Sequence, residues 1–389
     1  MNPKSPASLQ HRQRHVPFHL FLIKIASRCN LNCTYCHMYN LADKSYISQP
    51  KIMPDDVVVA AIERIRTHVQ RHNLREITLV LHGGEPLLAG EAFIQKLSDR
   101  VRERLDPVCR SHISMQTNAT LITRKWLDRL TSLGITFGVS CDGTREAHDQ
   151  NRVDHAGRGS YDQVARTLQL INSDSHYSSL LEGTLTVINV DSDPIEVYES
   201  LLSMQPKVID FLLPDGTYDN PPPRLKDGVS TPYADWLIQI FDRWFNRPDT
   251  AVDIRLFKNI IGMALGGEVS TDYIGSREFG ILVIETDGGM EPGSALKACG
   301  EGFTKLGLNV RHNELDDAYG CKLIQMYANG ASQLCTTCKN CSIVTVCGGG
   351  YLPHRYSSTN RFDNPSIYCQ DLTKLINHIL MRLRATLDA

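Results

Sequence analysis

Three cysteines lie within one short loop of this chain: Cys29, Cys33 and Cys36, spaced C-x3-C-x2-C, with Tyr35 just before the last. Three thiolates on one tight loop can hold three irons of a [4Fe–4S] cube and leave the fourth iron open. An open iron takes a small chelating ligand, as open metal sites do elsewhere. Zinc is the competing reading of the same loop. It normally wants four ligands, and His37, directly after Cys36, sits awkwardly for completing a tetrahedron.

A second group, Cys335, Cys338, Cys341 and Cys347, reads C-x2-C-x2-C-x5-C and runs into Gly348–Gly349–Gly350, with Cys369 further on. Four thiolates suit an iron–sulfur cluster with no open iron, and they suit a zinc ribbon as well. Twelve cysteines clustered in this way, in a chain expected to be cytosolic, argue for metal rather than a disulfide framework. Cys109 stands apart and reads as an ordinary thiol.

The elements that must position these residues alternate. Strands are expected at 19–26, 76–82, 112–117, 136–140, 184–189 and 208–213, and helices at 55–71, 91–105, 124–133, 161–172 and 195–204. Thr123 and Ser160 are expected to cap two of those helices. Alternation of this kind implies parallel βα units, and six units close only part of an eight-stranded barrel. The fold class expected is α/β: a partial (β/α)6 TIM-like barrel with a small C-terminal cysteine-rich domain.

Every unusual loop follows a strand. The cysteine loop follows the first, Gly83–Gly84–Glu85–Pro86 the second, Asn118 the third and Cys141–Asp142–Gly143 the fourth. Asp191–Ser192–Asp193 follows the fifth and Pro214–Asp215–Gly216 the sixth. Barrel-type folds place their chemistry at the C-terminal ends of the strands.

Pro221–Pro222–Pro223 breaks the pattern. A helix over 232–247 then carries Trp236, Leu237, Ile240, Phe241 and Trp244 on one face, a stripe that reads as core. A hairpin turning at Asp287–Gly288–Gly289, the cysteine-rich region and a last helix over 371–387 complete the chain. The expected organisation is a tail (1–17), the barrel (18–220), a helical bridge (221–279), a cysteine-rich domain (280–372) and a terminal helix (373–389).

Composition sets the outer limits. A formal charge of −2 over 389 residues gives no electrostatic case for nucleic acid or an anionic membrane. Residues 1–15 are polar and basic, without the apolar core of a signal peptide, and the apolar runs are strand-sized. A cytoplasmic protein is expected.

With these motifs in place, the chain resembles the radical S-adenosylmethionine (SAM) enzymes. The C-x3-C-x2-C loop is that family's signature, and Gly83–Gly84–Glu85–Pro86 is similar to its GGE motif. The resemblance implies that a [4Fe–4S] cluster on Cys29, Cys33 and Cys36 binds SAM, with Gly83, Gly84 and Glu85 at the methionine ammonium. Adjacent glycines allow close backbone approach, and a carboxylate suits an ammonium. Ser140 and Arg152 are implied at the methionine carboxylate, Asn118 at the ribose, Ile188 beside the adenine, and Tyr35 in the cluster loop. Arg152 also reads as an exposed ion pair, and Asn118 as a turn-former.

The second cysteine group resembles the SPASM extension of peptide-modifying members. The resemblance assigns Cys338, Cys341, Cys347 and Cys369 to at least one auxiliary [4Fe–4S] cluster. Ligands of a further cluster are normal where Gly293 and the Gly350–Tyr351 stretch stand here, and Cys299, Cys321 and Cys335 are the remaining thiols for it. The stretches around Leu212–Thr217, Glu285–Gly288 and Cys347–Tyr356 look like ribosomal-peptide maturases of the FxsB and cyclophane-forming type.

That likeness implies hydrogen abstraction from a ribosomally synthesised precursor peptide by a 5′-deoxyadenosyl radical, closing an oxidative ring or crosslink. An electron donor such as flavodoxin or ferredoxin is implied too. Asp215 is the candidate substrate-facing base, and Pro-Asp-Gly is equally a plain turn. Hydroxylation, epimerisation, sulfatase-maturase-like oxidation of Cys or Ser, and a metal-binding protein without turnover are the alternatives.

Overall fold

The computed structural model describes residues 16–225, 230–247, 252–267, 271–275, 280–328 and 333–387; the polar stretch 1–15 lies outside them. Six strands run parallel in chain order: β1 (Leu20–Ala26), β2 (Glu76–Gly83), β3 (Arg110–Thr117), β4 (Thr136–Ser140), β5 (Leu181–Val187) and β6 (Val208–Leu212). Helices α1 (Asp55–His72), α2 (Glu91–Arg104), α3 (Arg124–Leu133), α4 (Arg145–Asp149), α5 (Tyr161–Asn172), α6 (Ser175–Leu180) and α7 (Pro194–Ser203) fill the crossovers.

The local physics is legible in α1. Asp55 and Asp56 sit in its first turn, Arg71 and His72 in its last, and Asn73 ends it with a left-handed φ of 52°. Acids at the start and bases at the end both oppose the helix macrodipole favourably. Val57, Val58, Ala61, Ile62, Ile65 and Val69 form its buried face. In α3, Thr123 Oγ1 accepts from the backbone N–H of Trp126, the expected cap. Ser160 does not cap α5: its backbone is helical, and its hydroxyl donates instead to the carbonyl of Arg152 at 2.7 Å. That bond fixes the Arg152 loop rather than the helix end.

The sheet is wider than six strands. Its order is β7-β6-β5-β4-β3-β2-β1-β8-β9, where β7 is Asp253–Ile254, β8 Ile281–Ile284 and β9 Met290–Glu291. β8 pairs parallel with β1 and antiparallel with β9. The hairpin expected to open the cysteine-rich region therefore lies in the barrel's own sheet, beyond the anticipated boundary at 280. A buried charge cluster fastens it there. Lys24 of β1 donates to Glu285 at 2.7 Å, and Lys297 lies 3.2 Å from Glu285 and 3.0 Å from Glu291. Two cations and two anions balance, which is what makes burying them tolerable.

Beyond β6, α8 (Pro232–Phe245) buries Trp236, Leu237, Ile240 and Phe241, so the aromatic stripe is core. It packs on α9 (Arg255–Ala264), through Phe241 against Phe257, and on the terminal helix Cys369–Leu387. Among the described residues no helix is long and apolar enough to cross a membrane.

Candidate functional site

The loops after β1 to β6 meet at one end of the sheet, as parallel topology requires. The cysteine loop is stitched to the second of them by two backbone bonds: Gly84 N–H donates to Ala26 O at 2.8 Å, and Glu85 N–H to Arg28 O at 3.0 Å. A Cβ on Gly83 would lie 2.0 Å from Ala26 O, and one on Gly84 2.3 Å from Arg28 O. Gly83 also has φ of 135°. The glycines thus let the second loop lie directly against the cysteine loop. The close approach expected for a ligand is made first by protein backbone.

Cys29, Cys33 and Cys36 are free thiols in this loop. Burial raises the Cys29 thiol to about 12 and the Cys36 thiol to about 11, and raises Cys33 as well. Leu31 N–H points at Cys29 Sγ at 3.3 Å, and Asn118 Nδ2 lies 3.6 Å from the same sulfur. Such donors stabilise thiolate ligands once a metal centre has displaced their protons.

Glu85 is fully buried and makes no ion pair among the described residues. Its carboxylate accepts from Thr117 Oγ1 at 2.8 Å, from Asn118 N–H at 2.8 Å and from Leu87 N–H at 3.1 Å. Burial still pushes it up to about 7. A desolvated carboxyl without a cation fits an ammonium ligand. Asn118 forms the turn expected of it, with Oδ1 accepting from Thr120 N–H at 3.0 Å, while Nδ2 donates to Asn30 Oδ1 at 2.9 Å in the cysteine loop.

Arg152 is buried, not exposed, which removes the surface ion-pair reading. It donates through Nη1 to Tyr35 Oη at 2.8 Å, and Tyr35 donates to Asp142 Oδ2 at 2.6 Å. Asp142 Oδ1 in turn accepts from Val187 N–H at 3.1 Å. The chain Arg152–Tyr35–Asp142 locks the cysteine loop to β4 and β5, and Tyr35 serves it through its hydroxyl. Arg152 Nε is left buried without a partner. That unspent donor fits an anionic group. Ser140 Oγ accepts from Gln116 Nε2 at 2.9 Å, and Ile188 is buried at the end of β5.

Sequence reading missed the partner of Asp215. Its Oδ2 lies 2.8 Å from His37 Nδ1, so the sixth strand's loop reaches back to the cysteine loop. The only cue was that His37 follows Cys36, which suggested a metal ligand instead. Asp272, also missed, is pushed up to about 7, first by burial and then by Asp215 and Asp210 nearby.

In the second cysteine group, Cys335, Cys338, Cys341, Cys347 and Cys369 converge closely enough to perturb one another. Burial, then Cys335, raises Cys338 to about 12, and burial raises Cys347 to about 11. Cys335 therefore lies with this group. Cys299 lies apart beside Asp215 and Asp219, and Cys321 beside Asp317. At the two positions where further ligands would be normal, phenols fill the space. A Cβ on Gly293 would sit 2.5 Å from Tyr327 Oη, and Tyr351 packs on Tyr273 at 4.8 Å between centroids.

Comparison with known proteins matches residues 23–188 to the radical SAM superfamily. The cysteine-type anaerobic sulfatase-maturating enzyme of Clostridium perfringens strain 13 is 24% identical over 370 residues, covering 94% of this chain and 97% of that one. The serine-type enzyme of Klebsiella aerogenes is 28% identical, covering 89% and 82%. Among solved structures, anSMEcpe with bound AdoMet superposes with a TM-score of 0.79 at 25% identity, covering 95% of this chain and 98% of that one. Native anSMEcpe with AdoMet and the Cp18Cys peptide gives 0.77 at 25% identity, covering 94% and 98%.

SuiB of Streptococcus suis bound to its precursor peptide SuiA shares the fold, with a TM-score of 0.55 at 16% identity, covering 87% of this chain and 72% of that one. These relationships correct the expectation of a ring- or crosslink-forming maturase of ribosomal peptides: the full-length relatives mature sulfatases. The FxsB-like stretches were short and rich in turn-forming residues, which many loops share. Residues 23–188 match the radical SAM superfamily, whose chemistry rests on a [4Fe–4S] cluster and SAM, within a chain similar along nearly its whole length to anaerobic sulfatase-maturating enzymes.

Proposed function

We propose that this protein oxidises a cysteine or serine side chain in a peptide segment of a client protein, in the manner of a sulfatase maturase. The observation that carries this is the near end-to-end similarity to both cysteine-type and serine-type enzymes. When bound and reduced, the cluster and SAM supply a 5′-deoxyadenosyl radical that takes a hydrogen atom from an unactivated C–H bond.

The chain's own residues then have distinct tasks. Cys29, Cys33 and Cys36 hold the cluster, and Asn118 supports the Cys29 sulfur at 3.6 Å. Glu85 receives the methionine ammonium, and Arg152, with Ser140 near it in sequence, the methionine carboxylate. Asn118 also faces the ribose and Ile188 the adenine. Asp215 takes the proton that the substrate's thiol or hydroxyl loses as its carbon is oxidised, with His37 holding the carboxylate in place. Cys338, Cys341, Cys347 and Cys369 would hold an auxiliary cluster, which would supply an acceptor for the second electron of the oxidation.

The test is anaerobic turnover of reconstituted enzyme with SAM, a reductant and two peptides, one carrying a sulfatase active-site cysteine and one a serine there. Mass spectrometry should show the serine oxidised to an aldehyde, and the cysteine oxidised to a thioaldehyde that water hydrolyses to the same aldehyde with loss of hydrogen sulfide, with 5′-deoxyadenosine formed in step. Nucleoside release with neither peptide altered would overturn the reading.

A further inference from the structure

Away from the cysteine loops, at the opposite end of the sheet, α1 finishes beside the start of β1. His68 and His72, one helical turn apart on α1, face Asp316 in the short 3-10 turn Leu315–Gly320. Their ligand-type atoms, one from each residue, lie within 4.8 Å of one another.

The hydrogen bonding of His68 is the telling feature. Its Nε2 lies 3.1 Å from the carbonyl oxygen of Phe18, and its Nδ1 lies 2.5 Å from Asp316 Oδ1. Both oxygens accept and neither donates. A neutral imidazole carries one N–H, so one of the two contacts would set a lone pair against an oxygen. A second proton is the simplest remedy, yet His68 is 2% exposed, and burial disfavours the cation. A metal ion on Nδ1 removes the conflict, with Nε2–H donating to the backbone carbonyl as metal-bound histidines commonly do.

We propose that His68 Nδ1, His72 Nε2 and Asp316 Oδ1 bind one divalent transition ion of the zinc type, clamping α1 to the C-terminal half of the chain. Two imidazoles and a carboxylate are an ordinary zinc set, with water able to take the fourth position. Asp316 Oδ1 withdraws from its 2.5 Å contact with His68 Nδ1 by roughly 0.8 Å to admit the ion. The other oxygen, Oδ2, lies 3.0 Å from His72 Nε2, a contact the ion would replace, and it accepts from Arg71 Nη1 at 3.0 Å, which keeps it oriented. Phe18 stacks on Tyr319 at 4.5 Å beside the site and shields it. The end of α1 carries the negative pole of its helix dipole, which favours a cation there.

The test uses the iron-loaded holoenzyme, so that the clustered cysteines are already engaged. It is dialysed anaerobically against micromolar zinc chloride and analysed for zinc, iron and sulfide. The wild type should retain about one zinc per chain beyond its iron. His72→Gln and Asp316→Asn, both changed at partly exposed positions, should each lose that zinc with iron unchanged. Thermal unfolding should rise with zinc in the wild type and stay flat in both variants. No retained zinc in the wild type, or equal zinc in the wild type and both variants, would overturn the site. The triad would then be a buried imidazolium–carboxylate ion pair.

Discussion

His37 Nδ1 and Asp215 Oδ2 meet at 2.8 Å across 178 positions of sequence. One residue directly follows the third cysteine of the cluster loop, and the other closes the sixth parallel strand. The contact joins the first and last loops of the βα series. It also places Asp215 near Asp272 and Cys299, a group of acids and a thiol facing the C-terminal region.

From that contact follows a separation of two activities. Asp215→Asn keeps the size and the bond from His37 but cannot take a proton. Peptide oxidation should fall by roughly 10²–10⁴-fold, the usual worth of a positioned base. SAM binding and peptide-free nucleoside release should stay near wild type. Equal losses in both readouts would assign Asp215 to the architecture of the cluster loop instead.

The cluster cysteines give a sharper result. Replacing Cys29, Cys33 and Cys36 together with Ala should abolish 5′-deoxyadenosine formation and leave roughly half of the iron, held by the second cysteine group. Wild-type nucleoside release from that triple variant would sink the assignment.

Glu85 makes SAM binding dependent on pH. Burial holds its carboxyl at about 7 against the usual 4.5. Between those values the unfolded chain has released the proton and the folded chain keeps it. This group's contribution to stability is therefore greatest below about 4.5 and declines as pH rises to 7. The ammonium of SAM needs the charged form. Affinity should rise up to about tenfold per pH unit until pH 7 and level off above it. Glu85→Gln should bind more weakly, by roughly 2–5 kcal/mol at pH 8, with little pH dependence. Equilibrium dialysis at pH 6, 7 and 8 checks both slopes, and parallel curves for the two proteins would show that Glu85 does not face the ligand.

The barrel was legible because its signals are local. Alternating apolar runs, capping at Thr123 and loops placed after strands are all written within a few residues. The site was legible as far as its short motifs reached. Contacts made by the fold were not: nothing in sequence announces that Tyr35 bridges Arg152 and Asp142, or that His37 finds Asp215. Ser160 shows the converse, since a good capping residue was taken over by a stronger tertiary partner, the Arg152 carbonyl. β8 was read as half of a hairpin, and its parallel pairing with β1 depends on a partner some 260 residues away.

The number of clusters is the last expectation. Cys335, Cys338, Cys341, Cys347 and Cys369 gather in one place, one thiol more than a cube requires. Cys299 and Cys321 lie apart from that group, near different carboxylates. A further cluster would also need room where Tyr327 presses against Gly293 and where Tyr351 packs on Tyr273. Anaerobic reconstitution should therefore give about eight irons per chain, from two cubes. Cys299→Ala should leave that count unchanged, because what acts on its thiol is burial, Asp215 and Asp219 rather than another cysteine. Cys347→Ala should lose about four irons while the first cluster and its nucleoside release persist. Iron and sulfide analysis with Mössbauer spectroscopy distinguishes the cases. Near twelve irons, falling to about eight in the Cys299 variant, would mean that the phenols move aside for a third cube.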